Sequence, residues 1–355
     1  LHPEGIREVA RGGAGIWRDC ATVVAADWSE MKGAGLLRIL MSRETQARLG
    51  TELARLLGDR PYRLVAPDEE AEANQAQIAF ISRDITGLST KHEVLPHTQQ
   101  AYDAMLRSTT LQWVHVHSAG ADRPVYIALR ERGVNVTTSP GANAQVVAQS
   151  AVLGLLALAR HWPKLLAAQR ERRWAPLHGG ALPRDLQGQK AMVVGWGPIG
   201  QEIGRLLLAV GLRLVVVRRS GGEIGAGVEC VAPDGLLAHL PRVDWLVLAC
   251  PLTPQTRGLI GARELAALPM HAGLINVARG EVVHQPALLH ALEQERLAGA
   301  YLDVFEHEPL PLESPLWTLP NVIATPHSAG ASDGNEARVD RLFLDSFADR
   351  LRAQA

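Results

Sequence analysis

At 355 residues, 47% of them hydrophobic, the chain holds enough apolar material for two cores. A formal net charge of −1 gives no basic field for nucleic acid and no acidic tail, which points to a diffusible small ligand. Its three cysteines, Cys20, Cys230 and Cys250, lie too far apart for a CxxC unit, a disulfide framework or a thiolate metal site. No apolar run reaches the roughly 18 residues of a membrane span, so a soluble protein of the reducing cytoplasm is expected.

In chain order, residues 1–35 mix acids, arginines and glycines without period, and read as a poorly ordered N-terminal extension that lacks the pattern of a signal peptide. From Leu36 short apolar runs alternate with amphipathic helices, the pattern of a parallel sheet covered on both faces. "LLRILMS", "YRLVAP", "IAFIS", "LQWVHVHS" and "VNVTTS" read as strands, with helices over "RETQARLGTELARLLG", "VLPHTQQAYDAMLRS" and "RPVYIALRERG" between them. A long apolar helix follows from Ala144 to Arg160 and stops before Pro163, leading into a loop rich in Pro, Gly and Arg. A second α/β unit then takes its strands from "KAMVVGWG", "RLVVVRRS", "WLVLACP", "GLINVA", "GAYLDVF" and "NVIATPH", and a final helix covers Gly334 to Arg352.

The expected architecture is two Rossmann-like or flavodoxin-like parallel-sheet domains with an active-site cleft between them. Residues 36–143 and 327–355 would form one domain and residues 144–326 the other. The apolar helix from Ala144 offers a surface for a two-fold contact, so a homodimer is expected.

Gly195-x-Gly197-x-x-Gly200 directly follows a strand and opens a helix, the context that a dinucleotide fingerprint requires. Gly195 permits the tight turn, Gly197 lets backbone approach a pyrophosphate, and Gly200 lets helix and strand pack closely. Pro198 and Ile199 join them at the helix N-terminus, where free N–H groups favour phosphate. The plain alternative is a βα turn without a ligand. The second strand then ends in Arg218-Arg219-Ser220, where an NAD site places an acid. Two guanidinium forks and a hydroxyl suit a 2′-phosphate, so NADP is expected ahead of NAD, unless the arginines merely solvate a strand end.

Arg279, Glu308 and His327 each lie at or beyond the end of a strand, the edge where open α/β sheets gather ligands. Reduction of a 2-keto acid needs a fork to grip the carboxylate and polarise the ketone, which suits arginine. It also needs a group that gives and takes a proton near neutrality, which suits histidine, with a carboxylate to fix its tautomer. Taken singly, they could be a loop ion pair, a solvated turn and a satisfied histidine. His115 and His117 alternate along one strand without a third ligand, so packing is expected there and no metal site. Trp174 and Trp317 read as wall residues of a pocket or a partner subunit. Arg83 fits either a distal anionic group of a substrate or a surface ion pair.

Six segments, "TTSPGANAQVVAQSAVLGLLALAR", "GWGPIG", "CPLTPQTRGLI", "NVARGEVV", "LAGAYLDVFEHEPLP" and "PLWTLPNVIATPHSAG", occur in the order found in the D-isomer-specific 2-hydroxyacid dehydrogenases, which the chain resembles from about Leu36 onward. The resemblance implies that Arg279 orients substrate, Glu308 is the catalytic glutamate and His327 the acid/base, and on this reading residues 36–143 and 327–355 are the substrate domain and residues 144–326 the NAD(P)-binding domain. It puts Asp303 near the nicotinamide, makes Pro251, Thr253, Val277 and Ala278 cofactor contacts, and gives the substrate carboxylate to the backbone N–H groups of Ala119 and Gly120. D stereochemistry comes from the resemblance alone. Three departures stand out: Arg218 for the acid, Gln149-Ser150 for an acid-histidine pair and His284-Gln285 for an acidic pair, with altered capping or packing expected at the last two. The arginines, and an end soon after the last helix, resemble glyoxylate and hydroxypyruvate reductases more than phosphoglycerate dehydrogenases. The alternatives are a nucleotide-sensing, corepressor-like binding protein on the same fold, or a dehydrogenase for another 2-hydroxy acid.

Overall fold

The computed structural model describes residues 35–178, 182–219, 224–225 and 228–353; the expected N-terminal extension, apart from Gly35, and the candidate Ser220 lie outside them. Two compact units result. Among the described residues, the first contains 35–87, Leu95–Ser139 and 339–353; the second contains Leu88–Val94 and those within Pro140–Arg338. Residues 88–94, 140–143 and 327–338, expected from sequence in the substrate domain, thus pack with the other unit.

The first unit is a five-stranded parallel sheet of β1 (Leu37–Leu40), β2 (Tyr62–Val65), β3 (Ile78–Ile81), β4 (Trp113–Val116) and β5 (Asn135–Thr138), in the order β2-β1-β3-β4-β5. This is the flavodoxin-like order. All four residues of β3 and of β4 are buried, as strands covered on both faces must be, and only His115 among them is polar. The helix Arg43–Leu57 starts where the Ser42 side chain accepts the Thr45 N–H, and it buries Thr45, Leu49, Leu53 and Leu57 at a spacing of four. Phe343, on the final helix Asn335–Arg352, stacks on Phe80 with ring centroids 4.3 Å apart. His115 lies beside this stack, 2.9 Å from the Thr137 hydroxyl and 3.0 Å from that of Ser139. Burial pushes His115 down to about 3 and His117 to about 4, so both are neutral packing residues in the fold.

The second unit is a seven-stranded parallel sheet: β6 (Lys190–Val194), β7 (Arg213–Val217), β8 (Glu229–Val231), β9 (Trp245–Leu248), β10 (Gly273–Asn276), β11 (Gly299–Leu302) and β12 (Val322–Ala324). The order β12-β11-β10-β9-β6-β7-β8 reverses direction between β6 and β9, which creates a topological switch point at their carboxyl ends. The apolar helix Ala144–Ala159 buries Ala148, Ala151 and Leu155. Its Gly154 abuts the Tyr301 ring, where an added Cβ would fall 2.3 Å from Cγ. Beyond it, Pro163 does not lead into a loop. It occupies the first turn of a new helix, Trp162–Arg170, a position that tolerates its missing N–H. Among the described residues no helix is long and apolar enough to cross a membrane, and no cluster of His, Cys, Asp and Glu could hold a metal ion.

Candidate active site

At the switch point β6 runs into Gly195. Its φ is +98°, and a Cβ there would fall 2.6 Å from the Cys250 Cα, so only glycine fits. Gly200 packs against Gly195, whose carbonyl oxygen would lie 2.0 Å from an added Cβ. Gly197 differs: nothing lies within 4 Å of its Cβ position, and it immediately precedes the helix Pro198–Ala209, whose start no side chain caps. Open room above an uncapped helix N-terminus fits the pyrophosphate of a dinucleotide. Arg218 is partly buried beyond β7, with its N–H donating to the Val231 carbonyl at 3.2 Å, and Arg219 is exposed.

On the other side of the switch point, Thr253 and Thr256 close a turn: the Thr256 hydroxyl donates to the Pro251 carbonyl at 2.6 Å and lies 2.8 Å from the Thr253 N–H. Val277 and Ala278 are buried, and the Ala278 N–H donates to Asn276 Oδ1 at 3.1 Å.

Glu308 and His327 meet. Glu308 Oε2 lies 2.8 Å from His327 Nδ1, while Oε1 accepts the Phe305 N–H at 3.0 Å. The carboxylate side chain is 15% exposed and the imidazole 49%, so a shielded acid backs a ring open to a ligand. Burial pushes the Glu308 carboxyl upward. The hydrogen bond and charge of His327, the Phe305 N–H and the charge of Arg279 outweigh it and hold the group below its ordinary value. His327 itself has φ +49°, a strained conformation for a non-glycine residue. Its N–H donates to the Asp303 and Thr325 carbonyls at 2.8 and 2.9 Å.

Asp303 holds this turn from below. Its buried carboxylate accepts the Thr325 hydroxyl at 2.7 Å and the N–H groups of Ser328 and Ala329 at 2.8 and 3.0 Å. Burial raises its pKa, with those three donors pulling the other way. Asp303 thus anchors the loop that carries His327, a role its sequence position did not reveal. Arg279 precedes Gly280, whose Cβ position falls 1.8 Å from the Phe305 carbonyl carbon. The missing side chain lets the arginine segment lie against the loop that leads to Glu308.

Residues 152–329 match the family model of the D-isomer specific 2-hydroxyacid dehydrogenase, NAD binding domain. The chain belongs to that family. It is an NAD(P)-dependent oxidoreductase acting on 2-hydroxy acids. It is 34% identical over 67% of its length to a glyoxylate reductase of Korarchaeum cryptofilum, 72% of which is covered. A glyoxylate/hydroxypyruvate reductase B of Pectobacterium carotovorum is 32% identical, with 79% of this chain and 89% of the relative covered. A D-3-phosphoglycerate dehydrogenase of Methanocaldococcus jannaschii is 30% identical over 76% of this chain, which spans only 53% of that relative. Among solved structures, a D-isomer specific 2-hydroxyacid dehydrogenase of Xanthobacter autotrophicus in complex with NADPH and MES superposes with a TM-score of 0.69 at 30% identity, covering 89% of this chain and 95% of the other.

The family departures have local partners in this dehydrogenase. The Ser150 hydroxyl donates to the Ala329 carbonyl at 3.0 Å, adding a further hold on the His327 loop. His284 caps the helix Gln285–Glu293 through the Ala287 N–H. Gln285 and Glu306 each accept the other's backbone N–H, at 3.1 and 2.8 Å. Within the first unit, Ala119 and Gly120 follow β4, where the Ser118 hydroxyl donates to the Gly120 carbonyl at 2.6 Å. Arg83 begins the short helix Arg83–Thr86, next to β3. Trp174, expected as a wall residue, is 95% exposed, and the Trp317 indole donates to the Pro311 carbonyl at 3.0 Å. The segment Leu88–Val94 went unnoticed in the sequence because it has no periodicity. Its Thr90 hydroxyl donates to the Glu308 carbonyl at 2.8 Å.

Proposed function

We propose that this dehydrogenase reduces small 2-keto acids of the glyoxylate and hydroxypyruvate type, with NADPH preferred over NADH. The observation that carries the reading is the 2.8 Å contact between Glu308 Oε2 and His327 Nδ1. With Nδ1 committed to the carboxylate, Nε2 of the half-exposed ring is the nitrogen that donates a proton to the substrate oxygen during reduction and withdraws it during oxidation. Glu308 stabilises the imidazolium. Arg279 grips the carboxylate and polarises the carbonyl, and the Ala119 and Gly120 N–H groups are assigned to binding the substrate carboxylate. Arg83 is assigned to any distal anionic group.

The nicotinamide cofactor supplies the hydride when bound. Gly195, Gly197, Pro198, Ile199 and Gly200 hold its pyrophosphate; Pro251, Thr253, Val277 and Ala278 line its path; and Asp303 acts through the His327 loop. Arg218 and Arg219, with Ser220, clamp the 2′-phosphate. Charge-assisted bonds of about 1.5–3 kcal/mol would favour NADP by roughly tenfold to a hundredfold. The NADPH bound by the Xanthobacter relative supports this preference. A cytoplasmic homodimer completes the proposal. Steady-state reduction of a panel of 2-keto acids with each cofactor tests it.

A further inference from the structure

We infer that the strap Leu88–Val94 positions the acid–base pair, with Thr90 and His92 gripping the main chain of Glu308; this rests on the roles proposed above for Glu308 and His327. The chain leaves the first unit after Gly87 and rejoins it at Leu95, and the seven residues between pack with the second. The Thr90 hydroxyl ties a knot. It donates to the Glu308 carbonyl at 2.8 Å while accepting the N–H groups of His92 and Glu93 at 3.1 and 2.9 Å.

His92 Nδ1 lies 3.2 Å from both the nitrogen and the carbonyl oxygen of Glu308, so either tautomer bonds the same residue. Its ring stacks on His307 with centroids 4.5 Å apart and planes within 10°. Lys91, between the two, pairs with Glu281, two residues after Arg279, and both partners are largely shielded. The strap therefore fastens next to the arginine segment and on the glutamate itself. Neither contact reaches the substrate: Thr90 and His92 act through Glu308, whose carboxylate meets His327 and feels the charge of Arg279.

Catalytic geometry tolerates little displacement, since roughly 1 Å can cost on the order of a hundredfold. Thr90→Val removes the donor and both acceptor contacts, whereas Thr90→Ser keeps them. His92→Phe keeps a ring for the stack without Nδ1. For Thr90→Val we expect kcat for 2-keto acid reduction to fall by roughly 3- to 30-fold with KM changed less than about twofold. The pH above which reduction declines should move down, because a displaced carboxylate stabilises imidazolium less well.

The experiment measures kcat, KM and pH profile for the parent, these three variants and Glu308→Gln. Rescue by Thr90→Ser supports the inference. A Thr90→Val enzyme with parental kcat and profile overturns it, as does a Thr90→Ser enzyme equally impaired. Should Thr90→Val fail to fold by circular dichroism, His92→Phe decides on the same readouts. If Glu308→Gln leaves the profile unmoved, the acid–base reading falls and the inference with it; if Glu308→Gln moves it and the strap variants do not, the strap alone is refuted.

Discussion

His327 is held in a left-handed backbone conformation by hydrogen bonds from its own N–H and by the buried carboxylate of Asp303 beneath the loop. A strained residue persists where its surroundings over-determine it, and here the result is a ring whose Nδ1 faces Glu308. Replacing His327 with Ala should lower kcat by about 10²- to 10⁴-fold, with a smaller change in KM, measured in steady state. Glu308→Gln should shift the upper limb of the reductive pH profile downward, since a neutral amide stabilises imidazolium less. Glu308 sits below its ordinary value, so the stability it adds is present above the usual carboxylate range and is lost as pH falls through the lowered folded value. The Arg218→Asp substitution removes a cation and adds an anion where the 2′-phosphate is proposed to bind. It should move the kcat/KM preference from NADPH toward NADH while kcat with the favoured cofactor stays nearly intact; an unmoved ratio would leave Arg218 as a strand-end residue only.

At the level of elements, the glycine turn was legible because its requirements are local: a positive φ at Gly195 and backbone proximity at Gly200 leave no alternative to glycine. The three catalytic candidates were legible as strand-end residues, but the Asp303 anchor was not. Its role depends on Ser328 and Ala329, 25 and 26 residues away. The strand Glu229–Val231 was missed because three residues carry too short a pattern, and the helix Trp162–Arg170 because proline reads as a stop although it also suits a first turn. The histidines on β4 and just beyond its end give an element-scale prediction. His115 and His117 stay neutral in the fold down to about 3 and about 4, whereas the unfolded chain takes up protons near pH ~6.5. Their stabilising contribution is complete above that pH and is lost as pH falls toward the folded values. Amide hydrogen exchange at Trp113–Val116 should therefore accelerate between pH 7.5 and 5 after correction for intrinsic rates; equal protection at the two pH values would contradict it.

For the whole molecule, alternation of apolar runs and amphipathic helices was sufficient to read two parallel sheets, because strands covered on both faces are buried along their whole length and predominantly apolar, as β3, β4, β9, β10 and β11 are. The assignment of residues 88–94 was not legible: only tertiary contacts to Glu308 and Glu281 decide where that segment packs. Fold and family together fix the reaction class, and residues at the ends of β7, β10 and β11 and beyond β12 are proposed to set cofactor and chemistry. The most direct measurement is kcat/KM for glyoxylate and hydroxypyruvate reduction with NADPH and with NADH. Turnover of at least one of these acids is expected, with NADPH favoured by roughly tenfold or more; no turnover of any small 2-keto acid, or a preference for NADH, would refute the proposed activity.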